Sequence, residues 1–276
     1  MDVLKTIYTW TLGTSLLAQI IQTFLIVWIS YALLLGGKGL MDAISTYSES
    51  TTPLLPKLYN SAKVIAQDPN QQGAITVYPS TNAPSGLEFS YSCFMLLDNK
   101  NFQGSSAGLR HVFHKGSPVY KPLMCPGVFV KNNENTLVVY MNEASHWNTY
   151  CEIPSIPVNK WIHLAIVVRN MNVDVYLNGN VAHRLTLTSV PRQNFGDVYV
   201  FKNEHFSDKS SSPPGEGFEV LGAASGFISR LLYTGYALNY EQIDRMVRAG
   251  PSTELDSAEV NLPPYLTDSW WVTYYK

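Results

Sequence analysis

The chain has 276 residues and a mass of 30.8 kDa, enough to bury a core that needs no disulfide staples. With 19 Lys plus Arg against 21 Asp plus Glu, its formal net charge is −2, which leaves no basic surface for a polyphosphate backbone and excludes a nucleic-acid partner. Only 14% of residues are charged, against about 25% in an ordinary soluble domain, and 46% are apolar; this excludes a coiled coil or a disordered chain and suits a β-rich body joined to a membrane segment.

No charge occurs between residues 6 and 37. Within that run, residues 14–35 read TSLLAQIIQTFLIVWISYALLL, which as a helix would span roughly 33 Å, matching a hydrocarbon core of about 30 Å. A single transmembrane helix is expected here, bounded by Thr14 and Leu35 and containing Trp28. Gln19 and Gln22 lie three apart on one helical side, either hydrogen-bonding a neighbouring helix or simply tolerated. The apolar run is too long for a removed signal peptide and lacks a small-x-small cleavage site. Gly36, Gly37 and Gly39 are expected to release the helix, giving an anchor over residues 1–38. Charges on its two flanks balance, so the positive-inside rule does not orient it. The 19 Asn and 43 Ser plus Thr form no N-x-S/T acceptor, and Cys93, Cys125 and Cys151 are an odd set without metal or redox spacing. Both features favour a body on the cytosolic side, with the thiols reduced and packed.

Residues 39–84 contain Pro53, Pro56, Pro69, Pro79 and Pro84 among polar clusters and are expected to be a spacer, with a short helix over 54–67. The period then changes to two. Leu87, Phe89, Tyr91, Cys93, Met95 and Leu97 alternate with Glu88, Ser90 and Ser92, as in a strand with one buried face. Short strands are expected at 110–114, 128–131, 136–141 and 150–153. Residues 161–168 are apolar on both faces, hence a central strand. Residues 173–177 alternate and lead into Asn178-Gly179, the dipeptide favoured by a type I′ hairpin turn, so three consecutive strands form a meander.

A strand opening Trp161-x-His163, followed by one carrying Asp174-x-Tyr176-Leu177-Asn178-Gly179, resembles the concanavalin A-like, laminin G-like jelly roll. Residues 226–250, GFISRLLYTGYALNYEQIDRMVRAG, are similar to that family's closing strand and short helix. The helix also follows from the residues themselves: Asn239 caps it, Gln242 completes a capping box, Ile243, Met246 and Val247 form the apolar stripe, and Gly250-Pro251 stops it. The resemblance covers residues 85–250 and implies an all-β, antiparallel jelly-roll sandwich preceded by one transmembrane helix. More narrowly, VPRQNFGDVYV at 190–200 resembles the laminin G-like proteins that large DNA viruses of eukaryotes encode. That resemblance implies a minor capsid or virion membrane protein, single-pass in the internal membrane, with the sandwich at the capsid interface on the cytosol-derived side.

Chemistry is sparse. Sandwiches of this family that cleave glycans use a Glu-x-Asp-x-Glu strand, and none occurs here. His111 and His114, three apart in a strand, should point to opposite faces and so not chelate one ion, and His163 is expected to be a satisfied core residue. Laminin G-like relatives bind calcium at the sandwich rim, for which Asp174, Asn178 and Asp197 are weak candidates, Asp174 being mid-strand and Asn178 a turn residue. Residues 202–219 are a long polar loop. The tail, residues 251–276, carries Trp270, Trp271, Tyr274 and Tyr275, readable as a terminal strand or a docking peptide. Trp147, with His146, Asn148 and Tyr150, could form a glycan platform, or could fold onto the core or meet a partner.

The expectation is a non-enzymatic structural protein without metal or cofactor, linking a lipid bilayer to other capsid or membrane proteins. The alternative is a membrane-anchored, glycan-binding, lectin-like module, in which Trp147 and Tyr150 would be contacts.

Overall fold

The computed structural model describes residues 16–49, 51–80, 86–208 and 217–256, and falls into two units, Met1–Ser50 and Thr51–Lys276. The first unit contains helix α1 (Leu16–Glu49); Thr14 lies outside the described residues. Its stretch Gln22–Leu40 is long and apolar enough to cross a membrane, and none of it is buried. Trp28 and Leu35 are exposed, as is Gln19, while Gln22 is half-buried. The glycines around Lys38 do not release the helix. Each costs about 1 kcal/mol in a helix interior, but Leu40, Met41, Ala43 and Ile44 follow with good helix propensity and carry it on to Glu49.

The second unit is a two-sheet sandwich. The first sheet runs β1 (Thr51–Tyr59), β14 (Gly226–Thr234), β3 (Glu88–Leu97), β8 (Trp161–Arg169), β9 (Asn172–Leu177), β10 (Asn180–Thr186). The second runs β12 (Phe206–Asp208), β13 (Phe218–Ala223), β4 (Leu109–Gly116), β5 (Met124–Lys131), β6 (Leu137–Met141), β7 (Thr149–Ile153), and β11 (Asp197–Val200) joins β4 to β2 (Lys63–Ile65). Among the described strands every pairing is antiparallel except β13 with β4, and an isolated parallel bridge joins Leu58 to Leu255. This is the antiparallel jelly roll, with β8, β9 and β10 in the expected meander. Asn178 (φ 50) and Gly179 (φ 84) both take the positive φ their turn requires.

The spacer over 39–84 is corrected by β1 and β2. Thr51 to Tyr59 pair with β14, and Leu54 and Leu55 are core residues, so the segment 54–67 forms no helix but carries the end of β1 and all of β2. Pro53 and Pro56 are compatible because β1 is an edge strand with register irregularities on either side of Leu55.

The core between the sheets takes the inward residues of both, including Phe89, Tyr91, Cys93, Met95 and Leu97 from β3 and Leu137, Val139 and Met141 from β6. The opposite face of β3 is not wet as its alternation suggested. Helix α2 (Tyr240–Ala249) and the turn before it cover that face, with Leu238 and Ile243 packed on Ala165, Val167 and Tyr176. Small serines make room: Ser90 Oγ donates to Tyr236 O at 2.9 Å and accepts from Leu238 N–H at 3.0 Å. The capping box of α2 forms as predicted, Asn239 accepting from Gln242 N–H.

Candidate functional site

The outer face of the second sheet carries a layer of its own. Phe129 on β5, Val138 and Tyr140 on β6, and Phe218 and Val220 on β13 turn away from the core and cluster with Leu109, Tyr120 and Met124. Rings meet edge to face: Phe129 to Phe218 at 5.6 Å, Tyr140 to Phe218 at 5.2 Å, Trp147 to Phe218 at 5.4 Å and 87°. Tyr140 and Tyr150 lie 5.1 Å apart at 33°. Cross-strand alternation explains the layer, since one sheet with bulky residues on both faces must cover the second face with its own loops.

A groove of about 390 Å³ runs across this layer. Its floor is Val138, Tyr140 and Phe218; Tyr150 and Asn148 form one side, and Ala107, Gly108 and Gly217 the other. Polar groups edge it: Lys131, whose Nζ sits 2.7 Å from both Glu134 and Glu152 carboxylates, Glu152 itself, and Glu219. Burial opposes the charge of Lys131, but hydrogen bonds and charge from the two glutamates outweigh it and raise its pKa.

Trp147 stands next to the groove, half-buried against Phe218, with Lys121 Nζ 5.5 Å from its ring centroid and 2.6 Å from Asp208. The loop that holds it is braced from below by Glu143. That carboxylate is almost fully buried and accepts from Thr149 Oγ1, from Ser189 N–H at 2.6 Å, from Thr188 Oγ1 at 2.9 Å and from Ser189 Oγ at 3.1 Å. Burial alone would raise its pKa; these donors hold it below the usual range instead. Asn142 adds a bond from Nδ2 to Trp147 O at 3.1 Å.

Beneath the aromatic layer, His111 and His114 share a face rather than opposing ones. A bulge between His111 and Phe113 turns both Val112 and Phe113 into the core and both imidazoles outward. Lys202 N–H donates to His111 Nδ1 at 2.9 Å, so His111 carries its proton on Nε2, which donates to His114 Nδ1 at 2.7 Å; His114 Nε2–H then donates to Ser117 O at 3.0 Å. Every ring nitrogen is spent, which leaves no lone pair for a metal. Burial lowers the pKa of both, that of His114 to about 4. Tyr120, fully buried at φ 67, rests on both rings, and its hydroxyl has no partner among the described residues.

The remaining expected site residues are scattered. Trp161 opens β8, half-buried, and His163 is buried against Phe94 at 4.8 Å, its pKa lowered to about 4 by burial. Its Nδ1 finds no partner among the described residues, so it is not the satisfied residue expected. Asp174 is held by Arg184 at 2.5 Å and by Arg169 at 3.4 Å, and Tyr176 lies beneath α2. Asn178 accepts from His163 N–H and Asp197 from Gln67 N–H, so the three calcium candidates are each committed elsewhere. No group of three or more His, Cys, Asp or Glu among the described residues is placed to hold a metal. Trp270 and Trp271, and part of the polar loop, lie outside the described residues. The structure brings Trp147 and Tyr150 to one surface; Tyr140, Phe218, Lys131 and Glu143 had no local sequence signal, because β-pairing alone assembles them.

Residues 69–213 match the laminin G-like family model described as the concanavalin A-like lectin/glucanases superfamily. No curated protein matches the sequence. Similar folds occur in the binding domain of botulinum neurotoxin serotype D, 12% identical over 75% of this chain and 52% of that one, TM-score 0.49. A ligand binding domain of the same serotype, solved in complex with N-acetylneuraminic acid, gives 12% identity, 75% and 53% coverage, and 0.49. The receptor binding domain of the C/D mosaic serotype gives 10%, 59%, 36% and 0.44. The chain thus spans between about a third and a half of the length of those domains.

These findings overturn the viral resemblance and, with it, the capsid-to-membrane linker, its capsid partners and the placement at a virion interface. The sequence match over residues 69–213 is to a superfamily of lectins and glucanases, not to a capsid protein. The same match corrects the ranking of a glycan partner behind capsid and membrane proteins. One of the two grounds for a cytosol-derived side falls as well. Cys93, Cys125 and Cys151 are all buried, and burial pushes the thiols of Cys125 and Cys151 up to about 12, so their unpaired state records no redox compartment.

Proposed function

The chain belongs to the laminin G-like family of the concanavalin A-like lectin/glucanases superfamily, and from that premise we propose that it is a membrane-anchored, glycan-binding receptor module acting outside the cell. It is non-enzymatic: the carboxylate triplet of the glycan-cleaving sandwiches is absent from its sequence. The observation that carries the proposal is the groove on the second sheet. A sugar ring has apolar C–H faces and a polar hydroxyl rim, and the groove offers the complement: rings of Tyr140, Tyr150 and Phe218 as a platform, with Asn148, Lys131, Glu152 and Glu219 as hydrogen-bonding edges. Trp147 extends the platform, held in place by Glu143. Helix α1 supplies the anchor, with Gln22, Trp28 and Leu35 in the span and Gln19 one turn before it.

The test is a glycan array probed with the full chain in lipid nanodiscs, alongside Trp147→Ala and Tyr150→Ala. Saturable binding to a defined subset of glycans, weakened about tenfold or more by each variant without loss of folding, is the expected result. Binding to no glycan, or binding indifferent to both variants, overturns the proposal.

A further inference from the structure

A second cavity opens between the two sheets, far from the groove in composition as well as place. It holds about 230 Å³ and is walled by Phe89, Tyr91 and Tyr233 from the first sheet and by Lys115 and Cys125 from the second. Its mouth is formed by Tyr78 and Phe195, both exposed. The mouth is braced: Tyr233 Oη donates to Tyr78 O at 2.9 Å, and Gln193 Nε2 donates to Ser80 Oγ at 3.2 Å.

Lys115 is the exceptional wall residue. It is 3% exposed, and its Nζ donates to the carbonyls of Asn194 and Gly196, each at 2.8 Å. An ammonium has three N–H groups, so one remains. It forms no ion pair among the described residues, so a buried cation stands at an apolar wall with only two carbonyls in direct contact. Its pKa is lowered to about 8, first by burial, with Cys125 and then Asp197 acting against the shift. Tyr91, equally buried, makes ring contacts with Phe89 and Tyr233, while its hydroxyl forms no hydrogen bond among the described residues. The cavity therefore combines apolar walls with two unspent donors, one of them cationic.

We propose that this cavity is a binding site for a small amphipathic carboxylate, an apolar ring or short chain carrying one anionic end. The carboxylate would accept from Lys115 and Tyr91 and supply the missing counter-ion, while the apolar body fills the space between Phe89, Tyr233 and Phe195. A 150 Å³ apolar cavity holds benzene, so a space of this size suits a ring bearing a short acid arm.

The experiment is calorimetric titration of the full chain in nanodiscs with phenylacetate and with its neutral counterpart, phenylacetamide. Saturable binding of phenylacetate, at least about tenfold tighter than the amide, is expected, with the preference falling to about twofold in Lys115→Met and both ligands weakened in Phe195→Ala. No saturable binding of phenylacetate, equal affinity for the two ligands, or a preference retained in a folded Lys115→Met overturns the proposal. Should Lys115→Met fail to fold, Tyr91→Phe decides: a loss of about threefold or more for phenylacetate supports the site, and unchanged affinity overturns it. Trp147→Ala should leave phenylacetate binding intact, so this site and the glycan groove fail or stand separately.

Discussion

His111 Nε2 and His114 Nδ1 meet at 2.7 Å, both rings neutral, in a chain that begins at the Lys202 amide and ends at the Ser117 carbonyl. The bond ties the start of the 202–208 segment to the loop that carries Tyr120, and so fixes the bed on which the aromatic layer lies.

Acid should loosen this bed. Folded His114 stays neutral down to about pH 4, whereas an unfolded histidine titrates near 6.5, so between those values the unfolded chain holds the extra proton. Stability present above about pH 6.5 is lost as pH falls toward 4, by up to about 3 kcal/mol for this one group, and His163 adds loss in the same window. His114→Gln can keep one acceptor and one donor in the chain. Urea unfolding at pH 7 and pH 4.5 should show a smaller loss in the variant than in the natural chain.

Glu143 should matter to ligand binding without touching the groove. Glu143→Ala strands the Ser189 amide and the Thr149, Thr188 and Ser189 hydroxyls, at a cost of about 1–3 kcal/mol in stability. Thermal unfolding should register that loss, and the glycan array a weakening comparable to that of Trp147→Ala. Glu143→Gln, which retains an acceptor oxygen, should fall between.

Leu55 distinguishes a spacer from a core strand. It is wholly buried, so Leu55→Ala should cost about 2–5 kcal/mol, whereas the same change in a solvated linker would cost almost nothing. Denaturant midpoints read the difference.

The three thiols should be silent in the folded chain. Cys125 and Cys151 are buried with pKa values pushed up to about 12, and Cys93 is driven upward further by burial alone. A thiol-reactive chromogenic disulfide at pH 8 should label none of them until denaturant is added, and then all three.

Much of the fold is legible because its signals are local. The period-two run into Leu97, the Asn178-Gly179 turn and the Asn239 capping box each need only a few neighbouring residues, and each forms as written. The failures are equally physical. Pro53 and Pro56 read as breakers because proline is excluded from central strands, yet an edge strand tolerates it. Strict alternation puts His111 and His114 on opposite faces, and one bulge brings them to the same one. The groove was only half visible: Trp147 and Tyr150 sit close together in sequence, but Phe218 reaches them from a distant strand that pairs in parallel with β4.

Edge strand β1 carries a further consequence. Pro53 and Pro56 have no amide hydrogens to offer a newcomer, and the outer hydrogen bonds of Leu58 are already taken: its N–H donates to Glu254 O and its carbonyl accepts from Asp256 N–H, both at 2.8 Å. At these three positions a second copy of the sandwich finds no free ladder on which to add a strand. That edge thereby resists open-ended stacking of one molecule upon the next, the route by which exposed sheets grow into fibres.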